Sequence, residues 1–218
     1  MIFDAHVHMG YWMSNGVLRY YSPRRIFSVL NRCGVDRFIV SSTSTQAGVI
    51  SVRDLVREAR EMRRVAKGRA YVYCWISDDL YRMDENLEML SDGVYSGIKL
   101  HEVDVAWNKY RRDDLRKILN VAARKRMNVM LHSGEYPGCS PGELEWMARE
   151  YPAIKFNFAH CRPADEMLRV LERNRNVYTD VAYMNVDEIA HVLQMDKSHR
   201  IMFGSDIPAL HIDDRNGM

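Results

Sequence analysis

The chain has 218 residues, of which 47% are hydrophobic and 28% are charged, and its 31 basic and 29 acidic residues give a net charge of +2. This composition is typical of a globular protein, and the balanced charge argues against a nucleic-acid or membrane-surface partner. No apolar run reaches the length of a membrane span and no secretory signal opens the chain, so we expect a cytoplasmic protein with one domain over residues 1–218.

The first predicted element is a strand over residues 3–10, which is followed by a Tyr/Trp-rich loop over residues 10–21. Side chains alternate between the two faces of a strand, so Asp4, His6 and His8 share one face. Two imidazoles placed in this way can reach one ion, as a zinc-like metal requires. A surface His-x-His is the alternative interpretation of this segment taken alone, because short motifs often occur by chance.

Alternating helices and strands follow, with no linker or low-complexity segment between them. Ser22 followed by Pro23 predicts the start of a first helix that ends near Cys33. Further helices are predicted over residues 50–67, 84–91, 111–126, 140–151, 164–174 and 186–195. The remaining predicted strands cover residues 36–42, 70–77, 96–101, 128–132, 155–160, 177–182 and 200–206.

Eight short apolar strands alternating with seven helices predict a parallel sheet of βα units, and eight strands are the number that closes a (β/α)₈ TIM barrel. A doubly wound open sheet is the structural alternative, but no glycine-rich phosphate-binding motif follows the first strand. The four cysteines have no paired spacing, so we expect reduced thiols that take no part in metal binding.

Histidines concentrate at the predicted strand ends. Five of the eight lie there, together with a lysine and an aspartate, whereas His191 and His199 fall elsewhere. Reactive groups of a TIM barrel lie at the carboxyl ends of its strands. A single histidine there is more often a core residue, but this set indicates a functional site. Its members are His6, His8, Lys99, His101, His132, His160 and Asp206.

Five ordered segments resemble the metal-dependent amidohydrolase superfamily, most closely the amidohydrolase-related group that includes aminocarboxymuconate semialdehyde decarboxylase. The segments are Asp4 to His8, Gly97 to His101, Leu131 to Gly134, Phe158 to Cys161 and Phe203 to Asp206. The resemblance covers nearly the whole chain. It implies a distorted (β/α)₈ barrel that holds one or two divalent metals, most often zinc.

The resemblance also implies roles for individual residues. His6, His8, His132 and Asp206 match the ligands of members with one metal, and His160 matches a histidine that binds a second metal or contacts substrate and water. In binuclear members a carboxylated lysine bridges two ions, and Lys99 occupies the matching place. An ordinary ammonium would be repelled by dications, so Lys99 is expected to be neutral, carboxylated or turned toward an anion. We expect one ion rather than two.

The implied function is hydrolysis of an ester, lactone or amide-type bond of a small molecule by a metal-activated water. Asp206 would transfer the water's proton and His160 would orient the water or polarise the carbonyl. Two alternatives are a non-oxidative decarboxylase of a small unsaturated or aromatic acid and a non-catalytic metal-binding relative. Candidate substrate contacts are Trp12, His101, Glu135 and Arg162. Arg162 either pairs with a substrate carboxylate or is a solvated arginine at a helix start.

Family members continue beyond the aspartate of the eighth strand with one or two further helices, whereas this chain ends at Met218 after a loop. The last outer helix is therefore expected to be missing from residues 1–218. Part of the shell over strands one and eight would then come from elsewhere, and a homo-oligomer is one source.

Overall fold

A computed structural model describes most of the chain, in seven segments. They are residues 1–14, 16–44, 51–76, 87–101, 112–134, 137–196 and 199–209. The α-helices of six or more residues within them are α1 Pro23–Arg32, α2 Val52–Ala66, α3 Arg112–Lys125, α4 Pro141–Glu150, α5 Ala164–Arg173 and α6 Val186–Met195. None of the described helices is long and apolar enough to cross a membrane.

The described strands form one sheet with the order β2-β1-β3-β4-β5-β6-β7-β8-β9. β2 pairs antiparallel with β1, and the other neighbours are parallel. The strands are β1 Phe3–Ser14, β2 Val17–Tyr21, β3 Arg37–Ser42, β4 Ala70–Trp75, β5 Gly97–Leu100, β6 Asn128–Leu131, β7 Phe156–Phe158, β8 Val177–Asp180 and β9 Ile201–Met202.

Backbone hydrogen bonds close the sheet into a barrel. The amide of Ala5 donates to the carbonyl of Phe203 at 2.8 Å, and the amide of Asp206 donates to the carbonyl of His6 at 2.8 Å. The amide of His8 donates to the carbonyl of Ile207 at 2.6 Å, which continues the seam. With eight parallel strands joined at this seam, the predicted TIM barrel is confirmed.

Side chains alternate along the strands as the barrel requires. In β6, Val129 and Leu131 belong to the large core under the helices, whereas Met130 belongs to a small separate cluster with Ile39 and Tyr73. Because successive side chains of a strand face opposite ways, the small cluster lies on the inner side of the sheet. The residue after Leu131 is therefore directed to the inner side, which explains how His132 reaches the barrel mouth.

Two predicted boundaries are wrong. The described residues 10–14 and 16–21 form a hairpin rather than a loop, because β1 continues past Gly10 and pairs with β2 from Gly10 opposite Tyr21 to Ser14 opposite Val17. The last strand ends at Met202 rather than Asp206. Of the predicted helix over residues 84–91, positions 87–89 are helical and lead into a 3₁₀ turn at Leu90–Asp92, and the rest lies outside the described residues.

Glu145 joins α4 to the end of α5 and supplies a first prediction. Its carboxylate, nearly buried, accepts two hydrogen bonds from Arg173, both at 2.9 Å, and one from Asn174 at 2.7 Å. The hydrogen bonds from Arg173 lower the pKa of Glu145 from 4.5 to about 2. The carboxylate therefore stabilises the fold above the unfolded pKa, and this contribution is lost as the pH falls toward about 2.

We expect Glu145→Gln to lower the free energy of unfolding by about 1–2 kcal/mol near pH 7. Urea denaturation of both proteins at neutral and acid pH measures this, and the difference should shrink as the pH approaches about 2. Glu150→Gln is the matched control, because Glu150 pairs with Arg116 at 2.8 Å on the surface and should contribute less. A difference that stays constant with pH would contradict the account.

Candidate metal centre and active site

One cavity of about 310 Å³ opens at the carboxyl ends of the barrel strands. Nine of the ten residues predicted from the sequence line it, and the tenth, Glu135, lies outside the described residues. Trp75 and Tyr183 line it as well and were not predicted. The nine are His6, His8, Trp12, Lys99, His101, His132, His160, Arg162 and Asp206.

Three ligand atoms converge in this cavity. Nε2 of His6 and Nε2 of His8 are 3.1 Å apart, and Oδ1 of Asp206 is 3.4 Å from the first and 3.0 Å from the second. Ligands about 2.0–2.1 Å from a tetrahedral metal lie about 3.3 Å from one another. The donor atoms of His6, His8 and Asp206 therefore fit a divalent ion such as zinc, and all three residues are buried.

Asp206 reaches this position through a bend in the backbone. Beyond β9 the chain leaves the strand conformation, and Asp206 has a φ of 54°, in the left-handed region that a non-glycine residue rarely adopts. The bond from its amide to the carbonyl of His6 fixes the bend against β1. Its inward direction thus depends on the seam of the barrel and not on the strand alternation that the sequence suggested.

His160 and His132 lie next to each other in the cavity. Nε2 of His160 is 3.0 Å from Nδ1 of His132, and Nδ1 of His160 is 3.3 Å from the carbonyl oxygen of Ala182. His160 lies in the 3₁₀ turn Ala159–Cys161 after β7 and has a φ of 72°. The converging group consists of His6, His8 and Asp206 and does not include His132. The role of His132 as a metal ligand therefore stays a prediction.

Asp180, at the end of β8, is a buried site residue that was missed from the sequence. Its carboxylate lies 3.3 Å from Nδ1 of His6 and accepts a hydrogen bond from the Asn157 amide at 2.9 Å. The backbone amides of His160 and Ala182 each donate to it at 3.2 Å. Asp180 lies at the carboxyl end of a strand, as the predicted histidines do, and reactive groups of a TIM barrel lie at these ends. The same argument therefore predicts Asp180 from the sequence.

An aromatic group forms one wall of the cavity. The ring of His101 stacks between Trp75 and His132, with centroids 5.6 Å and 4.2 Å away. Lys99 is fully buried, and its Nζ lies 5.6 Å from the centroid of the Trp75 ring. Carboxylation of Lys99 and a second ion stay predictions.

Trp12 and Arg162 form other parts of the mouth. The Trp12 ring stacks on His8 with centroids 6.0 Å apart. The Arg162 guanidinium lies 5.6 Å from the centroid of the Tyr183 ring, and the side chain is partly buried. The structure therefore places Arg162 in the cavity wall instead of on a solvated helix face.

Trp12 belongs to the β1–β2 hairpin, which serine hydroxyls hold in place. The Tyr11 amide donates to Oγ of Ser44 at 3.0 Å, and the hydroxyls of Ser42 and Ser44 donate to the buried carboxylate of Glu58 at 2.6 Å and 3.3 Å. Gly10 has a φ of +93° at the point where the hairpin passes these hydroxyls. The close approach is possible because Gly10 has no side chain.

Burial controls the charges of the site. It lowers the pKa of His6 and of His160 well below the usual range of an imidazole, which favours the neutral form that binds metals. Burial alone would raise the pKa of Asp206, but His6 and His8 outweigh it and the pKa is lowered. All four cysteines lie in the described residues and none of them forms a disulfide, and Cys161 packs in the core under the helices.

The family model described as amidohydrolase matches residues 3–214. No curated protein matches the chain. A zinc-bound amidohydrolase from Burkholderia multivorans has 13% sequence identity and a TM-score of 0.65, over 95% of this chain and 84% of its own.

Two further solved structures resemble the chain. A putative 2-pyrone-4,6-dicarboxylic acid hydrolase from Pseudomonas putida has 16% identity and a TM-score of 0.67, over 99% of this chain and 85% of its own. A 4-oxalomesaconate hydratase from Rhodopseudomonas palustris has 12% identity and a TM-score of 0.63, over 100% of this chain and 86% of its own. At these identities the structures support the shared barrel fold, and the family match shows that the chain belongs to the amidohydrolase family.

Proposed function

We propose that this chain is a metal-dependent hydrolase that cleaves an ester, lactone or amide-type bond of a small molecule. The observation that carries the proposal is the convergence of His6 Nε2, His8 Nε2 and Asp206 Oδ1 within 3.0–3.4 Å inside the cavity. These residues would hold one zinc ion, with His132 as the fourth ligand that the family resemblance implies. A carboxylated Lys99 bridging a second ion is the alternative.

The residues of the chain then divide the chemistry among them. A bound divalent ion would acidify a water molecule and stabilise negative charge that develops on the carbonyl oxygen. Asp206 accepts the proton of the attacking water on its carboxylate and returns it to the leaving group. His160 orients that water, and its backbone bend and the contact with His132 fix the direction of its ring.

The cavity favours a small anionic substrate. Arg162 contributes positive charge to its lining, and the rings of Trp12 and Trp75 provide flat apolar surfaces. A guanidinium pairs with a carboxylate in bidentate geometry, and aromatic faces pack against a planar molecule. The Pseudomonas putida structure, named for hydrolysis of a pyrone dicarboxylic acid, is a protein of similar fold whose substrate has these features. We therefore propose a carboxylate-bearing lactone, ester or amide.

Zinc loading followed by a substrate panel tests the proposal. The zinc-loaded protein is incubated with carboxylate-bearing lactones, esters and amides, and with unsaturated and aromatic acids, and is then stripped with a chelator. We expect hydrolysis that ceases with the chelator and returns with zinc, without release of carbon dioxide. Carbon dioxide release would identify the decarboxylase alternative instead. Full metal loading without turnover on any compound would favour a non-catalytic metal-binding protein.

A further inference from the structure

We infer that Asp180 is a positioning residue that holds the ring of His6 and the backbone of His160, and that these three residues form a hydrogen-bonded unit and not a second ion site. The inference rests on the proposed metal centre. Two groups of buried side chains in the described residues are close enough to hold an ion, namely His6 with His8 and Asp206, and His6 with His160 and Asp180. The contacts within each group separate their roles.

Hydrogen-bond donors surround the Asp180 carboxylate. Oδ1 accepts from the backbone amides of His160 and Ala182, each at 3.2 Å. Oδ2 accepts from Nδ2 of Asn157 at 2.9 Å and lies 3.3 Å from Nδ1 of His6. A fully buried carboxylate is retained only when such donors compensate its lost hydration. The protein's own donors therefore suffice to fix the orientation of Asp180.

The two ring nitrogens of His6 have different tasks. Nε2 faces His8 and Asp206 at 3.1 Å and 3.4 Å, and Nδ1 faces Asp180. A neutral imidazole carries one proton, so Nδ1 donates it to Asp180 and the lone pair of Nε2 is left for the ion. A carboxylate acceptor fixes the tautomer and strengthens the ligand. His8 receives a weaker form of the same support, because its Nδ1 contacts the Ser41 hydroxyl at 3.0 Å.

An ion in the second group would disrupt these contacts. It would need Nδ1 of His6 as a ligand while Nε2 serves the first ion, and the ring would have to lose its last proton. Both ring nitrogens of His160 also have contacts, since Nδ1 lies 3.3 Å from the carbonyl oxygen of Ala182 and Nε2 lies 3.0 Å from Nδ1 of His132. Hydrogen bonding, unlike ion binding, uses each of these atoms in its ordinary protonation state.

Asp180 also links the ends of two strands through hydrogen bonds. By accepting from the amides of His160 and Ala182 on one oxygen, it links the turn after β7 to the end of β8. His160 has its unusual φ of 72° in this turn. Non-glycine residues keep such a conformation only where the surroundings determine it, and Asp180 supplies that constraint. One carboxylate therefore positions both a proposed ligand and the proposed water-orienting group.

Asp180→Asn tests the inference, because it preserves the size of the side chain and removes its charge. We measure zinc affinity by competition with a chelator, zinc content per chain, and the fold by circular dichroism. The variant should bind zinc about 10–100-fold more weakly, which is typical when the partner of a ligating histidine is lost. Glu145→Gln is the matched control, because this buried carboxylate accepts from Arg173 and Asn174 outside the cavity, and the zinc affinity of the variant should equal the parent's.

A second measurement does not depend on the variant folding. Nitrogen-15 NMR of the histidine side chains in the metal-free parent should show His6 protonated at Nδ1. A His6 protonated at Nε2 would overturn the inference, as would equal zinc affinity of Asp180→Asn and parent, equal weakening by Glu145→Gln, or a second zinc bound by Asp180. Each of these results leaves the proposed metal centre in place. A parent that binds no zinc would instead overturn the proposed function and the inference with it.

Discussion

Asp206→Asn is expected to reduce turnover by about 10²–10⁴-fold, the usual contribution of general acid–base catalysis. A carboxylate that accepts the proton of water must change its protonation state, and an amide cannot do so. The amide oxygen still approaches an ion as a neutral ligand, and His6 and His8 supply two further donor atoms 3.1 Å apart. Metal occupancy should therefore fall less than turnover.

Turnover of the variant at saturating zinc, with zinc content measured in the same samples, checks this expectation. Asp4→Asn is the control, since Asp4 is also a buried carboxylate near the seam. Its Oδ1 accepts from the amides of His6 and Ser205 at 3.1 Å and 3.0 Å, and an asparagine oxygen can accept both bonds. Recovery of Asp206→Asn to near the parent rate at high zinc would show that Asp206 is a ligand alone.

Gly10→Ala should lower the free energy of unfolding by about 2–5 kcal/mol. A Cβ at this position would lie 2.3 Å from Oγ of Ser44 and 2.6 Å from Oγ of Ser42. Those hydroxyls are held by Glu58 and the Tyr11 amide, so they cannot move without breaking hydrogen bonds. Overpacking costs about 1–3 kcal/mol, and the positive φ of 93° adds about 1–2 kcal/mol.

Chemical denaturation of the two proteins measures the change. Gly68→Ala is the matched control, because Gly68 has a φ of +85° and a Cβ there would meet nothing within 4 Å, so it reports the cost of the backbone conformation alone. The difference between the two variants is the cost of crowding the serine cluster. Equal destabilisation by both would mean that the hairpin tolerates the methyl group and that the serines do not hold it.

Most of the barrel could be predicted from the sequence because each strand and helix carries its own signal. The helix predicted over residues 140–151 is one example: Ser140 followed three residues later by Glu143 is a pattern typical of a capping box, and both of its hydrogen bonds are present at the start of α4. The βα spacing then favoured parallel strands closed into a barrel. The hairpin was missed because Gly10 was interpreted as the end of a strand, although Asn15 followed by Gly16 is a sequence signal for a hairpin turn.

The site was predictable where it depends on strand ends and not where it depends on tertiary contacts. His132 reaches the cavity because β6 alternates regularly up to Leu131. Asp206 reaches it through a left-handed bend in the backbone. That bend is fixed by a hydrogen bond from the Asp206 amide to the carbonyl of His6, two residues that are far apart in the sequence. The partnership of Asp180 with His6 likewise joins two distant strands, and no local sequence pattern encodes it.

Anomalous diffraction from zinc-loaded crystals tests the central claim most directly. The claim predicts an anomalous peak within about 2.0–2.2 Å of Nε2 of His6, Nε2 of His8 and a carboxylate oxygen of Asp206. Zinc-loaded crystals with no peak at these three atoms, or with a peak held by other side chains, would contradict it.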